Sequence, residues 1–439
     1  MKLVILGAGE SGVGTAILAQ KQGYEVFVSD FGTIAEKHKQ MLDAHGLAWE
    51  EGGHTAEKIL DADEVVKSPG IPDTAPIVAA LHAQGTPILA EIEFACRFTK
   101  GRIIGITGSN GKTTTTTLIY HIMGEAGFNV GLGGNIGKSF ALQVAEDDKD
   151  WYVVELSSFQ LDNMFDFRAH IAVLMNITSD HLDRYDYQLQ HYVDSKMRIM
   201  QNQTPQDTFV YWREDENIER ELPQNLKGGV TAPTPTSQPS KGGNPTLKPF
   251  SDADFERLEL EFSQPGQHNK RNALAAYYAT LAAGVPEKVI RQALITFKGV
   301  EHRLEFVADI DGVRYINDSK ATNVDACKVA LEAMTRPTVL IVGGKDKGND
   351  YSVLNTLILQ KCRALVYLGA DNSKLHAAFD ELGLPVADTH NMHDCVEMCR
   401  KLAHSGDVVL LSPCCASFDL FRNMEDRGEQ FISQVKNTF

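Results

Sequence analysis

The sequence predicts an α/β protein of three domains. Short apolar runs typical of buried strands alternate with helical segments along almost the whole chain. Two of these runs, at residues 2–6 and 102–107, are followed at once by glycine-rich turns and further helical segments. The 439 residues suit three domains of about 150 residues each. We predict a Rossmann-like domain at 1–95, a P-loop ATPase-like domain with a parallel sheet at 96–298, and a Rossmann-like domain at 299–439.

The first apolar run opens a Rossmann-like pattern. It leads into the turn Gly7-Ala8-Gly9-Glu10-Ser11-Gly12, and a second strand at 25–29 ends at Asp30. An acidic residue at this distance can meet a ribose hydroxyl, so this segment alone would suggest NAD. The same loop would serve any nucleotide diphosphate. Ser68-Pro69-Gly70, after a strand at 64–67, supplies a second loop on the same edge.

The second apolar run leads into the turn Gly108-Ser109-Asn110-Gly111 and then Lys112 and Thr113. Backbone N–H groups of such a turn and the following helix cradle phosphates, the lysine reaches the terminal phosphates, and the threonine hydroxyl can hold Mg²⁺. Ile106 stands where the general P-loop has its first glycine. We expect ATP as the ligand. The alternative is a polar turn before a threonine-rich helix.

Strands predicted at 151–156 and 170–177 end at candidate metal ligands. Glu155 ends an apolar strand, where a carboxylate is costly without a partner, and His181 follows the next strand. Ligands collect at this edge of a parallel sheet. The alternative reading has Ser179 or Asp180 capping a helix, with Asp183 completing a capping box.

The segment from 221 to 250 is rich in Pro, Gly, Ser and Thr, and we predict a surface excursion or a hairpin-bearing loop that cannot supply a core. A strand is predicted at 208–212 before it, and a helix is predicted to follow Gly266-Gln267-His268-Asn269 and to extend to about Ala283. In the third domain we predict strands at 304–309 and 313–317 joined by an Asp-Gly turn, then strands at 338–342, 364–368 and 408–411.

Composition excludes several classes of protein. A net charge of −16 and a pI near 5.3 argue against a nucleic-acid or anionic-membrane surface. Seven cysteines form neither a disulfide framework nor a paired C-x-x-C zinc spacing. No apolar stretch approaches the ~18 residues of a membrane span. We expect a cytoplasmic protein with no nucleic-acid partner and no membrane span. We also expect a monomer, an expectation that does not rest on composition.

Three motifs resemble those of the Mur ligases, the ATP-dependent amino-acid-adding enzymes of peptidoglycan precursor synthesis. They are TGSNGKTT at 107–114, ELSSFQ at 155–160 and DSKATN at 318–323. The last two resemble the branch that adds D-glutamate. The resemblance implies ligation of D-glutamate to UDP-N-acetylmuramoyl-L-alanine, with ATP and two Mg²⁺ ions, through an acyl phosphate.

The resemblance also implies site residues. ATP contacts would be Gly108, Ser109, Asn110, Gly111, Lys112, Thr113, Thr114, Asn269, Asn272, His302, Arg303, Asp318 and Lys320. The UDP-sugar site would comprise Gly9, Ser11, Gly12, Asp30, Ser68, Pro69, Gly70, Asn135, Ser157, Gln160 and His181. D-Glutamate would meet Thr322, Lys347, Ser417 and Phe418.

The family carries a carbamylated lysine at the position of Lys196, which would otherwise be read as a solvated helix lysine. Carbamylation would make it an anionic metal ligand. The implied catalytic residues are Lys112, Glu155, His181 and Lys196, and the implied metal ligands are Thr113, Glu155, His181 and Lys196. The rival interpretations are a sister ligase adding another amino acid, and an NAD-linked oxidoreductase or nucleotide-sensing regulator.

Overall fold

The computed structural model describes residues 1–180, 182–228, 244–264, 266–346 and 348–437. The chain divides into two compact units. One comprises Met1–Phe262 and Asn269–Phe297, and the other comprises Ser263–His268 and Lys298–Phe439. The first unit contains two sheets and the second contains one, so the three predicted sheets are present. Within the described ranges, no helix is long and apolar enough to span a bilayer.

The first sheet has five parallel strands in the order β3-β2-β1-β4-β5. Its strands are β1 (Lys2–Leu6), β2 (Glu25–Ser29), β3 (Ala48–Glu50), β4 (Glu64–Lys67) and β5 (Ile88–Leu89), and its helices are α1 (Glu10–Lys21), α2 (Glu36–Ala44), α3 (Ala56–Ile59), α4 (Pro76–Gln84) and α5 (Glu91–Ala95). The order of the strands reverses between β1 and β4. A ligand crevice forms outside the carboxyl ends of strands at such a point.

The second sheet has six parallel strands in the order β11-β10-β9-β6-β8-β7. Its strands are β6 (Arg102–Thr107), β7 (Val130–Gly134), β8 (Trp151–Glu155), β9 (Ile171–Leu174), β10 (Thr208–Trp212) and β11 (Thr246–Phe250). Its helices are α6 (Lys112–Glu125), α7 (Phe140–Glu146), α8 (Ser158–Asp162), α9 (Leu189–Met197), α10 (Glu216–Gly228), α11 (Ala253–Arg257), α12 (Gln267–Ala282) and α13 (Glu287–Thr296), with 3₁₀ turns at Leu182–Arg184 and Arg198–Met200. β6 lies centrally, so the loops after β6, β8 and β9 meet at one edge.

The prediction for residues 221–250 was wrong at both ends of the segment. Helix α10 continues to Gly228, and Leu222 is buried in the hydrophobic core. At the other end, β11 pairs with β10 and places Phe250 in the interior. Pro249 is tolerated because β11 is an edge strand. Residues 229–243 lie outside the described part of the chain.

The third sheet has six strands in the order β12-β13-β17-β14-β15-β16. Its strands are β12 (Glu305–Ile310), β13 (Val313–Asn317), β14 (Thr338–Gly343), β15 (Cys362–Leu368), β16 (Val386–Thr389) and β17 (Val408–Cys414). Its helices are α14 (Val324–Ala333), α15 (Asn355–Lys361), α16 (Ser373–Phe379), α17 (Met392–Leu402) and α18 (Met424–Asn437), with 3₁₀ turns at Tyr351–Leu354 and Asp380–Leu382. The predicted hairpin is confirmed, since β12 and β13 are antiparallel. The remaining pairs are parallel.

Candidate active site

The loop after β6 requires glycine at two positions. Gly108 has φ of +149° and Gly111 has φ of +84°, values that strain other residues. A Cβ on Gly108 would lie 2.8 Å from the Cβ of Met175, and one on Gly111 would lie 2.5 Å from Oδ1 of Asn272. Helix α6 begins directly after Gly111, so its first N–H groups have no acceptor within the helix. This end of α6 can receive an anion.

Asn176, which the sequence interpretation missed, holds this loop from the end of β9. Ser109 N–H donates to the Asn176 carbonyl at 2.9 Å, and Asn110 N–H donates to Asn176 Oδ1 at 2.8 Å. The Ser109 hydroxyl also donates to the Thr178 carbonyl at 2.8 Å. The role of Asn176 could have been predicted from one feature of the sequence, which is an asparagine at the end of an apolar strand beside a glycine loop. The loop is therefore preformed.

The ammonium of Lys112 lies over its own loop. Its Nζ donates to the carbonyls of Gly108 and Ser109 at 2.8 and 2.9 Å. Thr113, the next residue, is half-buried in the first turn of α6, and Thr114 is buried. A cation and a hydroxyl thus lie together at the helix end that favours phosphate.

Side chains of helix α12 lie beside the phosphate-binding loop and the first turns of α6. Asn269 and Asn272 are both buried, and Asn272 Nδ2 donates to Asn269 Oδ1 at 3.1 Å. Thr115 Oγ1 donates to Asn272 Oδ1 at 3.3 Å. The structure brings both predicted residues to the phosphate-binding loop, where Asn272 contacts protein groups.

Glu155 ends β8 as a buried carboxylate with one free oxygen. Asn135 Nδ2 donates to Glu155 Oε1 at 2.9 Å, and the Asn135 N–H donates to the Glu155 carbonyl at 2.9 Å. Oε2 is buried and has no hydrogen-bond partner among the described residues. Burial of an unpaired oxygen is costly, so a ligand is expected to complete it. Asn135 itself is exposed and accessible to a substrate.

Lys196 is buried, contrary to its reading as a solvated lysine. Its Nζ lies 3.5 Å from Thr107 Oγ1 and 4.6 Å from the centroid of the Tyr192 ring. Burial lowers the pKa of its ammonium well below the usual value, and the charge of Lys112 lowers it further, although Asp180, Asp162 and Glu155 oppose this. The neutral amine is therefore favoured.

The residues beside the loop fit Mg²⁺. This ion prefers oxygen ligands and is usually bound by one or two carboxylates together with substrate phosphates. Glu155 Oε2 and the hydroxyl of Thr113 supply such oxygens. Across the described ranges, no group of three or more His, Cys, Asp or Glu could hold a metal by itself. His181, a predicted ligand, and the side chain of Asp183 lie outside the description, and a 3₁₀ turn over Leu182–Arg184 follows.

A cleft at the carboxyl edge of the first sheet is lined by five of the residues predicted to bind the UDP-sugar. These are Ser11, Gly12, Ser68, Pro69 and Gln160. Gly9 and Gly70 belong to the same loops and are exposed. Ser157 and Gln160 also have a structural role, because they form a reciprocal capping box on α8. The cleft lies where strand order reverses, as expected for a ligand site.

Asp30 organises the backbone around the first glycine loop. Its Oδ2 accepts from the N–H of Ala8 at 2.7 Å, and its Oδ1 accepts from the N–H of Gly32 at 2.8 Å. The predicted ribose contact stays a prediction. Each oxygen retains a second lone pair that could accept from a ligand.

In the second unit, the DSKATN segment is held by buried polar contacts. Asp318 accepts from Ser412 Oγ at 2.8 Å and from the N–H of Leu304 at 3.2 Å. Burial raises its pKa to about 6 although Arg303 opposes this. The Arg303 Nε is buried without a hydrogen-bond partner in the described part of the chain. The carbonyl of His302 accepts from the N–H of Lys320 at 3.0 Å.

Arg427, which the sequence interpretation missed, joins the two predicted ligand loops of this unit. It is buried, its Nη2 donates to the Ser319 carbonyl at 2.8 Å, and its Nη1 donates to the Cys415 carbonyl at 3.2 Å. An arginine in the first turn of α18 would ordinarily be read as a surface residue, so periodicity gave no signal. The contact fixes the DSKATN segment relative to the loop after β17.

The residues predicted for D-glutamate have different environments. Ser417 is buried after β17, Thr322 is half-buried before α14, and Phe418 is 68% exposed. Lys347 lies outside the described residues. The predicted residues as a whole fall in both units, with the phosphate-binding loop and the cleft in the first unit and the set from His302 to Phe418 in the second.

Three family models match the chain. They are the Mur ligase middle domain over residues 106–280, the MurD N-terminal domain over 2–76, and the Mur ligase, glutamate ligase domain over 302–415. Relatives named UDP-N-acetylmuramoylalanine--D-glutamate ligase include one from Bacteroides thetaiotaomicron, 57% identical over 99% of each chain. Another, from Porphyromonas gingivalis, is 49% identical over 99% of this chain and 98% of that relative.

Solved structures share the fold. UDP-N-acetylmuramate-alanine ligase from Thermotoga maritima matches with a TM-score of 0.61, 16% identity and 100% of each chain covered. Folylpolyglutamate synthase from Mycobacterium tuberculosis matches with a TM-score of 0.58 and 13% identity, over 80% of this chain and 93% of that one. With these relatives, the three sheets and the phosphate-binding loop define an ATP-dependent ligase. The chain belongs to the Mur ligase family, which confirms the resemblance.

Proposed function

We propose that this protein uses ATP to join D-glutamate to UDP-N-acetylmuramoyl-L-alanine, a cytoplasmic step of peptidoglycan precursor synthesis. The observation that carries the proposal is the unpaired Glu155 Oε2 beside a preformed phosphate-binding loop. The names of its full-length relatives support this choice of substrates. The expectation of a monomer stays a prediction.

The first step activates a carboxylate. An oxygen of the alanyl carboxylate attacks the γ-phosphorus of ATP, an O–P bond forms, and the bond to the ADP oxygen breaks. Lys112 and the first N–H groups of α6 offset negative charge on the phosphoryl oxygens as the phosphoryl group transfers. The products of this step are ADP and an acyl phosphate.

The second step forms the amide. The neutral amine of D-glutamate attacks the acyl carbon, the C–N bond forms, and phosphate leaves with the electron pair of the C–O bond. The attacking nitrogen loses a proton. D-Glutamate would be held by Thr322, Lys347, Ser417 and Phe418. The cation of Lys347 and the hydroxyl donors of Thr322 and Ser417 match its carboxylates.

Two Mg²⁺ ions would be held by Thr113, Glu155, His181 and Lys196. When bound, Mg²⁺ neutralises charge on the phosphate oxygens. Support comes from the free Glu155 oxygen and from the position of Thr113 at the start of α6. Asn135 fixes the Glu155 carboxylate and can also meet the substrate.

Lys196 would act as a carbamate. Its neutral amine attacks CO₂, a C–N bond forms, and a proton leaves the nitrogen, giving a carboxylate at the end of the side chain. The buried position of Lys196 and the lowering of its pKa by burial support this, because the neutral amine is the reactive form. The carbamate supplies oxygens where an ammonium would repel a metal.

We assign the three predicted domains to the three substrates. Residues 1–95 would bind the UDP-sugar, 96–298 would bind ATP, and 299–439 would bind the amino acid. Asn269 and Asn272 lie in the first unit and would support nucleotide binding there. The resemblance also implies nucleotide contacts by His302, Arg303, Asp318 and Lys320. The cleft that collects Ser11, Gly12, Ser68 and Pro69 supports the first assignment.

The test is ADP release by the full chain with ATP, Mg²⁺ and UDP-N-acetylmuramoyl-L-alanine, against a panel of amino acids. We expect D-glutamate alone to give rapid release, and Lys112→Ala to abolish it. Release with a different amino acid would favour the sister ligase. No release with any of them, together with tight NAD binding, would favour the oxidoreductase.

A further inference from the structure

An exposed aromatic ring lies beside the first glycine loop. Phe31 directly follows Asp30 at the carboxyl end of β2 and is 75% exposed. The Asp30 carboxylate accepts from the N–H groups of Ala8 and Gly32, so the backbone on both sides of Phe31 is tied to the glycine loop. The exposed ring thus projects from a fixed backbone.

His54 stands beside this ring. It follows β3, and its ring centroid lies 5.8 Å from that of Phe31 at an interplanar angle of 48°. His54 Nδ1 lies 2.7 Å from Ser29 Oγ, which donates to Glu50 Oε1 at 2.8 Å. Burial lowers the pKa of His54, so the ring is favoured as neutral. Phe31 and His54 form what we call the aromatic shelf.

The sheet places Phe31 one strand away from the glycine loop and His54 two strands away. In the order β3-β2-β1-β4-β5, the glycine loop follows β1, Phe31 follows β2 and His54 follows β3. In a Rossmann-like domain the diphosphate lies at the loop and helix after β1, and the ribose lies toward the end of β2. The base of a bound nucleotide would then reach the shelf.

We propose that Phe31, backed by His54, stacks on the uracil base of the UDP-sugar. This inference rests on the proposed function, which supplies a uridine nucleotide. Apart from Asp30, the turn at residues 30–32 offers no polar side chain for the base, and a planar ring can recognise a base by its face. Stacking of a base on an aromatic side chain changes affinity by about fivefold to about a hundredfold.

The test compares UDP with 5,6-dihydro-UDP by calorimetric titration of the full chain. Dihydrouracil keeps the N3–H and both carbonyls but has lost the flat ring. Wild type should bind UDP at least about fivefold more tightly than dihydro-UDP. Phe31→Ala should weaken UDP binding by a similar factor and should bind the two ligands equally. Phe31→Tyr should keep the preference.

Phe306→Ala is the matched control, because Phe306 is another exposed phenylalanine, on β12. It should bind both ligands as wild type does. Equal binding of UDP and dihydro-UDP by wild type, or a preference that survives in Phe31→Ala, would overturn the stacking and leave the ligase assignment intact. Failure of wild type to bind UDP at all would contradict the UDP-sugar site itself.

Discussion

The side-chain amide of Asn135 donates a 2.9 Å hydrogen bond to Oε1 of Glu155, and Glu155 Oε2 is buried without a hydrogen-bond partner among the described residues. Asn135 directly follows β7 and Glu155 ends the neighbouring parallel strand β8, where it pairs with Gly134. The carboxylate is thereby fixed with one oxygen available beside the phosphate-binding loop. The proposed metal site rests on this pair of residues.

Glu155→Gln should lower kcat by about a hundredfold or more, because the variant keeps the shape of the side chain but loses the anionic oxygen. The apparent KM for Mg²⁺ should rise. Initial rates of ADP release across a Mg²⁺ titration measure both effects.

Glu93→Gln is the control for that variant. Glu93 is also buried, but its two oxygens accept from the N–H groups of Asp166 and Phe167 at 2.8 and 2.9 Å. Its substitution should lower the melting temperature and leave the KM for Mg²⁺ unchanged. An unchanged Mg²⁺ dependence in Glu155→Gln would remove Glu155 from the metal site.

Lys196→Ala should lose about a hundredfold or more in kcat, because the carbamate oxygens are lost. A small carboxylic acid added to this variant should restore part of the rate by supplying oxygens. Lys196→Arg should fail, because the guanidinium stays charged and cannot be carbamylated. Wild-type activity in Lys196→Arg would return Lys196 to a structural role.

Lys347→Ala should raise the KM for D-glutamate strongly, because a carboxylate would lose its cation. Ser417→Ala should raise it less, since a neutral donor is lost. Lys345→Ala is the matched control, as it removes the same charge two residues away at an exposed position. If Lys345→Ala alone raises the KM, the amino-acid pocket has been assigned to the wrong lysine.

Asp318 should make the second unit less stable as pH rises. Its folded-state pKa of about 6 lies above the ordinary value of 3.8, so the folded state binds the proton more tightly than the unfolded state. The resulting destabilisation is absent below about pH 4 and complete above about pH 7, where it amounts to about 3 kcal/mol. Asp318→Asn should reduce this pH dependence.

Urea unfolding with pulsed hydrogen exchange of β17 measures this prediction at pH 5 and pH 8. Asp309→Asn is the control, since Asp309 forms an exposed ion pair with Arg314 at 2.9 Å. Its effect should stay below about 1 kcal/mol. If the free energy of unfolding depends on pH in the same way in wild type and Asp318→Asn, ionisation of Asp318 does not destabilise the folded state.

The sequence predicted those parts of the fold that local patterns determine. Lys2–Leu6 and Arg102–Thr107 are strands because short apolar runs end at glycines, and both glycine turns lead into helices. Residues 221–228 were misread because Pro223 suggested a loop. Ile218 and Leu222 are four residues apart on α10, and their burial in the core outweighs that propensity.

The environment of individual side chains could not be predicted in the same way. Helix α9 buries Tyr192, Val193, Ser195, Lys196 and Met197, which lie on more than one face, so periodicity cannot mark Lys196 as buried. Asp30 was predicted as a ribose ligand, but its contacts with Ala8 and Gly32 depend on how the loops meet. Only the family resemblance pointed to Lys196.

The most direct test of the acyl-phosphate ligation follows isotope from substrate to product. UDP-N-acetylmuramoyl-L-alanine labelled with ¹⁸O in the alanyl carboxylate is turned over with ATP and D-glutamate, and the released phosphate is analysed by mass spectrometry. Because the carboxylate oxygen becomes the bridging oxygen of the acyl phosphate, one ¹⁸O should appear in each phosphate released. Amide formed with unlabelled phosphate would contradict the account.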